Sequence, residues 1–396
     1  MNNDKPIITI TGMPRWNYFQ WFLLGFYLLE EEGKVELHFK TDFMTKVSTL
    51  TNSKYVLGWH RYLHAADNYN LDGYIDWKGK RKYFTIDSAD APFLFDSQKL
   101  NDVDTYFKMQ CPKEYKERGF RLTDEVWIPW CDHAHVDSSM TLTQRGERKL
   151  CANLEQHLDK VKPLMVGPRR LARGNSKSAL IVAYKNYLSS QANEKSKKMM
   201  CYFGNSAGPM PSKNVTNPDW DWEADIIGYY AEKLNHPNEK RYRATKILQS
   251  LGADYDGRLI TEGYSDTGNP VQHAELVVPL PAFCDHVSHF QYNLNISGYR
   301  MSIPNRFIES FLVGTAIMTD KLAIKWYKPF GKEVVETVPM GYLPNDKVDW
   351  SQFETDIQNL PTVSKEDVIK EYNDKWEPRV VARYLVDSVI CKDTIK

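Results

Sequence analysis

The chain has few cysteines, no excess of charge of either sign and no long apolar run. Its six cysteines, among 396 residues, are scattered and form no CxxC pair, which argues against a disulfide framework or a zinc module. The 51 basic and 51 acidic side chains give a formal net charge of zero, so we expect no broad nucleic-acid-binding surface.

The N-terminal region also lacks two targeting features. No basic region leads into a long apolar run, which predicts that there is no signal peptide. The apolar stretch at 21–29 is too short to span a bilayer. Together with the cysteine usage, these absences predict a reduced, cytoplasmic chain.

The composition that remains is that of a globular protein, with 42% hydrophobic and 26% charged residues. A length of 396 residues predicts two domains. Aromatic residues reach 13%, and their rings serve both core packing and stacking on sugar faces. Composition does not separate these two uses.

Strand and helix patterns alternate along most of the chain. A β-branched run at 6–12, a helical pattern over 13–34 with Gly33 as its stop, and a strand at 35–40 predict a βαβ unit. This alternation predicts a mostly parallel α/β fold whose ligand crevice lies at the carboxyl ends of the strands. Further strands are predicted at 83–92, 103–110, 126–133, 197–204, 292–297 and 315–319.

A segment rich in Pro, Gly and Arg at 161–178 predicts the connection between domains. We therefore expect an N-terminal domain at 1–170 and a C-terminal domain at 171–365, followed by helices at 366–396 that pack back on the first domain. The three arginines of this segment are expected either to attract acidic glycans or an anionic membrane surface, or to be a solvated linker. They are Arg169, Arg170 and Arg173.

The most informative stretch runs from 297 to 320. Ser302 suits an N-cap and Gly314 suits the residue that ends a helix, so the pattern predicts a short helix between them. Apolar residues recur on one face of this helix. Arg306 and Glu309 are therefore expected on the opposite face.

Two interpretations of this polar face stay open. Free N–H groups at the helix start, together with Arg300 and Arg306, suit a diphosphate, and Glu309 would accept hydrogen bonds from ribose hydroxyls. The alternative is an ordinary ion pair between Arg306 and Glu309 on a surface helix.

The stretch at 292–320 resembles the donor-site segment of GT-B glycosyltransferases. It is most similar to the protein O-glucosyltransferase and capsule-associated xylosyltransferase family, which implies a GT-B fold with two Rossmann-like domains facing across a cleft. The chain departs from that pattern by a proline in the loop before Arg306 and by the missing secretory signal, so the resemblance implies the superfamily and not the sugar. Comparable positions are Ser297, Gly298, Ser302, Arg306 and Gly314, and a glutamate at the place of Glu309 also occurs in other GT-B enzymes.

Other loops of the second domain supply further binding candidates. Asn205 and Ser206, in a glycine-bounded loop, offer polar groups for phosphate, and a plain turn is the alternative. Arg258 is expected either to face phosphate or to be a surface arginine. Tyr299 is expected either to stack on the base or to pack in the core.

The GT-B resemblance implies that the second domain binds the nucleotide sugar and that the first domain is the acceptor side, so the catalytic base is expected in the first domain. Asp87 and Asp90 follow a predicted strand and are the candidates, and capping or turn roles are the alternative. The pair Asp219 and Asp221 precedes a helical pattern, so helix capping is simpler than metal binding. We expect no metal, since arginines and a helix end compensate the charge of the diphosphate in the GT-B arrangement that the resemblance implies.

The sequence therefore predicts a hexosyl- or pentosyltransferase that transfers sugar from a UDP- or GDP-sugar to a glycan or lipid-linked glycan, with inversion implied by the resemblance. Surface polysaccharide synthesis at the inner face of the membrane, with peripheral membrane association and no nucleic-acid partner, is the expected setting. No cofactor besides the donor substrate is expected. Two alternatives are a GT-B-like nucleotide-sugar epimerase and a non-catalytic glycan-binding protein of the same fold.

Overall fold

The computed structural model describes residues 5–12, 19–40, 70–88, 99–118, 154–169, 171–172, 174–192, 198–206, 237–261, 263–264, 270–271, 280–297, 302–337 and 348–390. The chain divides into two compact units, and each is described by itself. Unit 1 comprises Met1–Lys185, Ile324–Pro329 and Asn373–Lys396, and unit 2 comprises Asn186–Ala323 and Phe330–Tyr372.

The described helices follow the predicted pattern in their main features. The predicted tail helices are present, with the expected break before Pro378. A 3-10 helix covers Leu154–Lys160, and a π-helical turn covers Tyr372–Trp376. The α-helices are α1 (Gln20–Glu31), α2 (Lys99–Asp102), α3 (Tyr115–Arg118), α4 (Lys177–Ser189), α5 (Pro237–Ser250), α6 (Leu280–Val287), α7 (Arg306–Phe311), α8 (Trp350–Gln358), α9 (Lys365–Glu371) and α10 (Pro378–Ile390).

Unit 1 opens with the predicted βαβ unit. Strand β1 (Ile7–Gly12) lies parallel to β2 (Glu36–Phe39), and α1 connects them. Gly33 has a φ of 68° and follows α1, which confirms it as the helix stop. Helix α10 packs directly on α1, because a Cβ built at Gly25 would lie 2.2 Å from the carbonyl oxygen of Pro378.

A β-hairpin that the sequence patterns did not predict as a whole lies beside this unit. Strand β3 (Asn70–Trp77) is antiparallel to both β1 and β4 (Lys80–Asp87). The two-residue connection has positive φ at Lys78 (48°) and Gly79 (75°), as a type I′ turn requires. The sheet of unit 1 is therefore mixed, with β3 antiparallel to both of its neighbours, while the strands on the two sides of β3 run in the same direction.

Parallel pairing resumes on the far side of the hairpin. Strand β5 (Thr105–Lys108) is parallel to β4, and β7 (Val161–Pro163) is parallel to β5. The strand order is β2-β1-β3-β4-β5-β7. A short antiparallel pair joins β6 (Cys111–Pro112) to β14 (Ile324–Lys325), which brings a late segment of the chain into this unit.

Unit 2 contains a parallel sheet of five described strands, which are β8 (Lys198–Ser206), β9 (Tyr255–Thr261), β12 (Phe290–Asn295), β13 (Ala316–Thr319) and β15 (Val334–Glu336). Their order in the sheet is β15-β13-β12-β8-β9. The first two strands along the chain, β8 and β9, occupy one side, and the later three extend in the other direction, so the order reverses between β8 and β12. A separate small pair is formed by β10 (Gly263–Tyr264) and β11 (Pro270–Val271).

The described chain is thus a mixed α/β structure with one mixed and one parallel main sheet. Among its described helices, none combines the length and the apolar character that crossing a membrane requires.

Candidate functional site

The reversal of strand order between β8 and β12 marks where unit 2 is expected to bind a ligand. In open α/β sheets, a crevice forms outside the carboxyl ends of the strands at such a switch point. Two helices flank this edge from opposite faces of the sheet. Helix α5 covers one face, because the carbonyl oxygen of Thr245 would lie 2.6 Å from a Cβ at Gly257. Helix α7 covers the other face, where Ser310 contacts Asn293. The strand register places Gly257 and Asn293 on opposite faces of the sheet.

Helix α7 is shorter than the sequence predicted. It begins at Arg306, with Asn305 at the cap position and no side-chain cap hydrogen bond. The predicted N-cap at Ser302 is therefore wrong, because Ser302 lies outside the helix. The predicted end is confirmed, since Gly314 has a φ of 76° and its N–H donates to the carbonyl of Phe311.

The predicted polar face of α7 is also corrected. Glu309 is only 1% exposed and Ser310 is fully buried. The buried part of the helix surface therefore includes polar residues as well as the apolar ones. Ser310 Oγ donates to the carbonyl of Arg306 (2.7 Å) and accepts from Nδ2 of Asn293 (2.9 Å). Glu309 is enclosed in the helix packing, and this position does not present it to a ribose in solution.

Arg306 is the half-exposed residue of this helix, and it lies at the carboxyl edge beside Tyr202. Its guanidinium carbon is 5.9 Å from the centre of the Tyr202 ring. The ring extends along β8 over Gly204, where a Cβ would lie 2.7 Å from the phenol oxygen. Glycine at 204 therefore leaves the space that lets the phenol reach towards the end of the strand.

A second arginine approaches the same edge from α5. Nη2 of Arg241 donates to the carbonyl of Ile296 (3.5 Å), just beyond the end of β12. Burial raises the pKa of the Tyr202 phenol, Arg241 and Arg306 act in the opposite direction, and Asp320 adds to the increase. The phenol is thus within electrostatic reach of two guanidinium groups that arrive from opposite faces of the sheet.

A buried carboxylate ties the ends of β12 and β13 together at this edge. Asp320 accepts hydrogen bonds from the backbone N–H of Ser297 (3.0 Å), from Ser297 Oγ (2.8 Å) and from Thr319 Oγ1 (3.1 Å). Thr319 Oγ1 also accepts from Nδ2 of Asn295 (2.9 Å). Burial raises the pKa of Asp320, and its hydrogen bonds and the nearby Lys240 act in the opposite direction.

This part of the edge therefore combines three basic side chains with the Asp320 carboxylate. The cations come from neighbouring positions on α5, Lys240 and Arg241, and from the first residue of α7. The Asp320 carboxylate already accepts hydrogen bonds from three donor groups. Guanidinium forks suit the bidentate binding of phosphate.

Sequence patterns alone did not identify Lys240, Arg241, Tyr202 or Asp320 as members of this cluster. The stretch that contains Lys240 and Arg241 has several basic residues within a few positions, and helical periodicity does not show which of them reaches the strand ends. The available signal was their position on the helix that precedes β9, because helices beside a switch point present residues to the crevice.

Several predicted binding residues are not placed by the structure. Gly298, Tyr299 and Arg300 lie outside the described residues. Asn205 and Ser206 end β8 at the switch point, and their backbone positions pair with Ile260 and Thr261. Their side chains are not described, so their predicted contact with phosphate stays a prediction.

Arg258 lies elsewhere. It makes a bidentate ion pair with Asp256 (2.8 and 3.0 Å) on β9, and its guanidinium carbon is 5.3 Å from the centre of the Phe203 ring. Nε2 of His286 is 2.9 Å from the same aspartate. The pKa of His286 is lowered by burial first and by Arg258 second. These contacts place Arg258 on the flank of the sheet and favour the surface-arginine alternative.

The candidate base Asp87 occupies the carboxyl end of β4 in unit 1, but it is fully buried. Its carboxylate is 3.2 Å from Nζ of Lys108, which is also fully buried, and it accepts a hydrogen bond from the phenol of Tyr106 (2.7 Å). A base must reach the acceptor hydroxyl. Because Asp87 has no exposed surface, we assign it a structural role, whereas Asp90 lies outside the described residues.

The described residues contain no group of three His, Cys, Asp or Glu side chains placed to hold a metal ion. The aspartates at 219 and 221 lie outside the described part of the chain. In comparisons with known proteins, no protein-family model matches the chain, and no curated protein matches it. The interpretation of the site therefore depends on its own chemistry.

Proposed function

We propose that this protein is a glycosyltransferase that binds a nucleotide-diphosphate sugar at the carboxyl edge of the unit 2 sheet. One observation carries the proposal. Arg241 and Arg306 approach the switch point from helices on opposite faces of the sheet, where Arg241 donates to the carbonyl of Ile296 and Arg306 lies beside the ring of Tyr202. Two guanidinium groups that approach one point from two sides suit a diphosphate with oxygens on both sides.

The chemistry of sugar transfer gives these arginines a role beyond binding. As the bond between the sugar and the diphosphate breaks, negative charge develops on the departing diphosphate, and fixed positive charge stabilises it. In our proposal, Arg306 and Arg241 supply that charge, with Lys240 beside them. The Asp320 network ties together the ends of β12 and β13, and the arginines reach this edge from α5 and α7.

The acceptor side of the reaction remains a prediction. We propose a glycan or lipid-linked glycan as acceptor, in surface polysaccharide synthesis, and inversion at the sugar carbon. Since Asp87 is enclosed, Asp90 is retained as the candidate base. A GT-B arrangement of the two units, as the resemblance implies, is part of this proposal.

The experiment that tests the proposal is a donor and acceptor panel. UDP- and GDP-sugars are incubated with the protein, with and without oligosaccharide acceptors, and mass spectrometry measures nucleotide release and products. We expect acceptor-dependent release of the nucleoside diphosphate and a glycosylated product. Arg306→Ala should lower kcat/KM by about tenfold to 100-fold, the loss typical of a charge-assisted hydrogen bond.

Arg258→Ala is the matched control, because it removes an arginine from the same sheet outside the edge. Its activity should stay within about twofold of wild type. Isomerisation of the donor without acceptor would favour the epimerase instead. If none of the nucleotide sugars reacts or binds, the enzyme assignment is wrong and the glycan-binding alternative gains support.

A further inference from the structure

The turn between β3 and β4 forms a basic tip on unit 1. We define the hairpin tip as residues 76–83, with the sequence DWKGKRKY. Most of this tip lies beyond the neighbouring strands, because pairing with β1 begins opposite Asp76 and pairing with β5 begins opposite Phe84. Within the described part of the chain, the tip therefore projects from the sheet as a two-stranded ribbon.

The hairpin tip has a strong excess of positive charge. Its four basic residues and one acidic residue give a formal charge of +3. Asp76 is bound by both nitrogens of Arg81 at 2.8 Å, and Lys82 is 3.4 Å from Asp104 on the neighbouring segment. Lys78 and Lys80 are both exposed at the turn itself.

Aromatic rings accompany these cations. Nζ of Lys78 lies 4.2 Å from the centre of the Trp77 ring. Tyr83 is 45% exposed and packs edge-on against Tyr74 with centroids 5.8 Å apart. Rings with an apolar body and a polar group, next to lysines, are the side chains that favour the headgroup region of a bilayer.

We propose that the hairpin tip is a docking surface for anionic phospholipid headgroups. The tip ends in a two-residue turn, and such a narrow end suits contact with a broad planar surface better than contact along an extended polyanion. The chain as a whole has a formal net charge of zero, so attraction to extended polyanions such as nucleic acid has no support from the rest of the molecule.

The position of the tip in the sheet agrees with this role. The parallel strands β1, β4 and β5 all begin near the tip and end at the opposite edge, where Asp87 lies. A membrane bound at the tip would leave the carboxyl edge of the unit 1 sheet uncovered. The proposal is independent of the nucleotide-sugar assignment, which concerns unit 2.

The test is co-sedimentation of the full chain with vesicles of pure phosphatidylcholine and with vesicles containing about 30% phosphatidylglycerol, a fraction that gives the surface a strong negative potential. We expect binding to the anionic vesicles only, weakened by added salt. Lys78→Glu/Lys80→Glu should reduce the partition coefficient by at least about tenfold, since it reverses two charges at the tip. Trp77→Ala should reduce it by a smaller factor.

A matched double reversal, Lys113→Glu/Lys116→Glu, makes the same change in net charge beyond the end of β5, away from the tip. It should retain binding within about threefold, because the electrostatic attraction between the tip and the membrane is screened beyond a Debye length. Equal loss in both double variants would overturn the proposal. So would binding to pure phosphatidylcholine, absence of binding to either vesicle, or binding to a soluble sulfated polysaccharide without binding to vesicles.

Discussion

The two main sheets end in polar clusters of opposite character. At the carboxyl edge of unit 1, Asp87 and Lys108 form a fully buried pair with one charge of each sign, and the phenol of Tyr106 donates a hydrogen bond to the carboxylate. At the carboxyl edge of unit 2, Lys240, Arg241 and Arg306 accompany one carboxylate, and the arginines are only half-buried.

From this difference we infer a structural role for the unit 1 cluster and a binding role for the unit 2 cluster. A balanced, enclosed pair uses its charges within the fold and offers none to a ligand. A cluster with more cations than anions, still in contact with solvent, gains from an incoming anion. In our proposal, the same position in two α/β sheets therefore has two uses, and each use has a separate experimental signature.

The largest effect is expected from Lys108→Met in unit 1. The substitution leaves the Asp87 carboxylate buried without its cation, so the free energy of unfolding should fall by about 3–5 kcal/mol. Denaturant unfolding monitored by circular dichroism measures it. Lys116→Met, which removes an exposed pair with Asp159 at 3.0 Å, should cost less than about 1 kcal/mol.

A double substitution then distinguishes the loss of charge balance from a general loss of packing. Asp87→Leu/Lys108→Met removes both charges, so it should recover a large part of the stability that Lys108→Met loses. A double variant as unstable as Lys108→Met would contradict the view that the pair is a balanced structural element.

The next largest effect should come from Gly25→Ala, which tests whether the last helix packs as a part of unit 1. Alanine favours a helix over glycine by about 1 kcal/mol. Its Cβ would nevertheless lie 2.2 Å from the carbonyl of Pro378, so α1 and α10 must separate. We expect a net destabilisation of about 1–3 kcal/mol in thermal or denaturant unfolding, and a stabilised variant would refute this packing.

A smaller, pH-dependent effect is expected at Asp320 in unit 2. Burial raises its pKa in the folded state above the unfolded value of about 3.9. The stabilisation from this group is therefore fully present below the unfolded pKa and is lost as pH rises through the folded pKa. The stability difference between wild type and Asp320→Asn should shift in favour of the variant as pH rises, as denaturant unfolding at several pH values will show.

The smallest effect is expected at His286, on the flank of the unit 2 sheet. Its pKa is lowered, chiefly by burial, so its contribution is present above the unfolded pKa of about 6.5 and is lost as pH falls through the folded pKa. Relative to His286→Gln, the wild type should lose stability on acidification. An opposite trend would mean that the attraction to Asp256 dominates.

Local signals in the sequence predicted much of the fold. The β-branched run of β1, the stop at Gly33, the break at Pro378 and the helix end at Gly314 all involve neighbouring residues, and the structure confirms them. The hairpin was missed although Lys78–Gly79 is a turn signal, because the polar residues of β3 interrupt its strand pattern.

The candidate site was less predictable, because tertiary contacts determine it. Periodicity placed Glu309 on an exposed face, whereas packing of α7 on several elements buries it. Arg258 was a plausible phosphate ligand by type, yet Asp256 two residues earlier binds it. Arg241 joins Arg306 only through the packing of α5 on β8 and β9, which no local pattern specifies.

The central claim is that Arg241 and Arg306 form an anion site at the carboxyl edge of unit 2, and calorimetric titration with UDP and GDP tests it most directly. We predict that at least one nucleotide binds, and that Arg306→Ala and Arg241→Ala each weaken it by about tenfold to 100-fold while Arg258→Ala does not. Affinity that is unchanged in both Arg306→Ala and Arg241→Ala, with folding intact, would contradict the account.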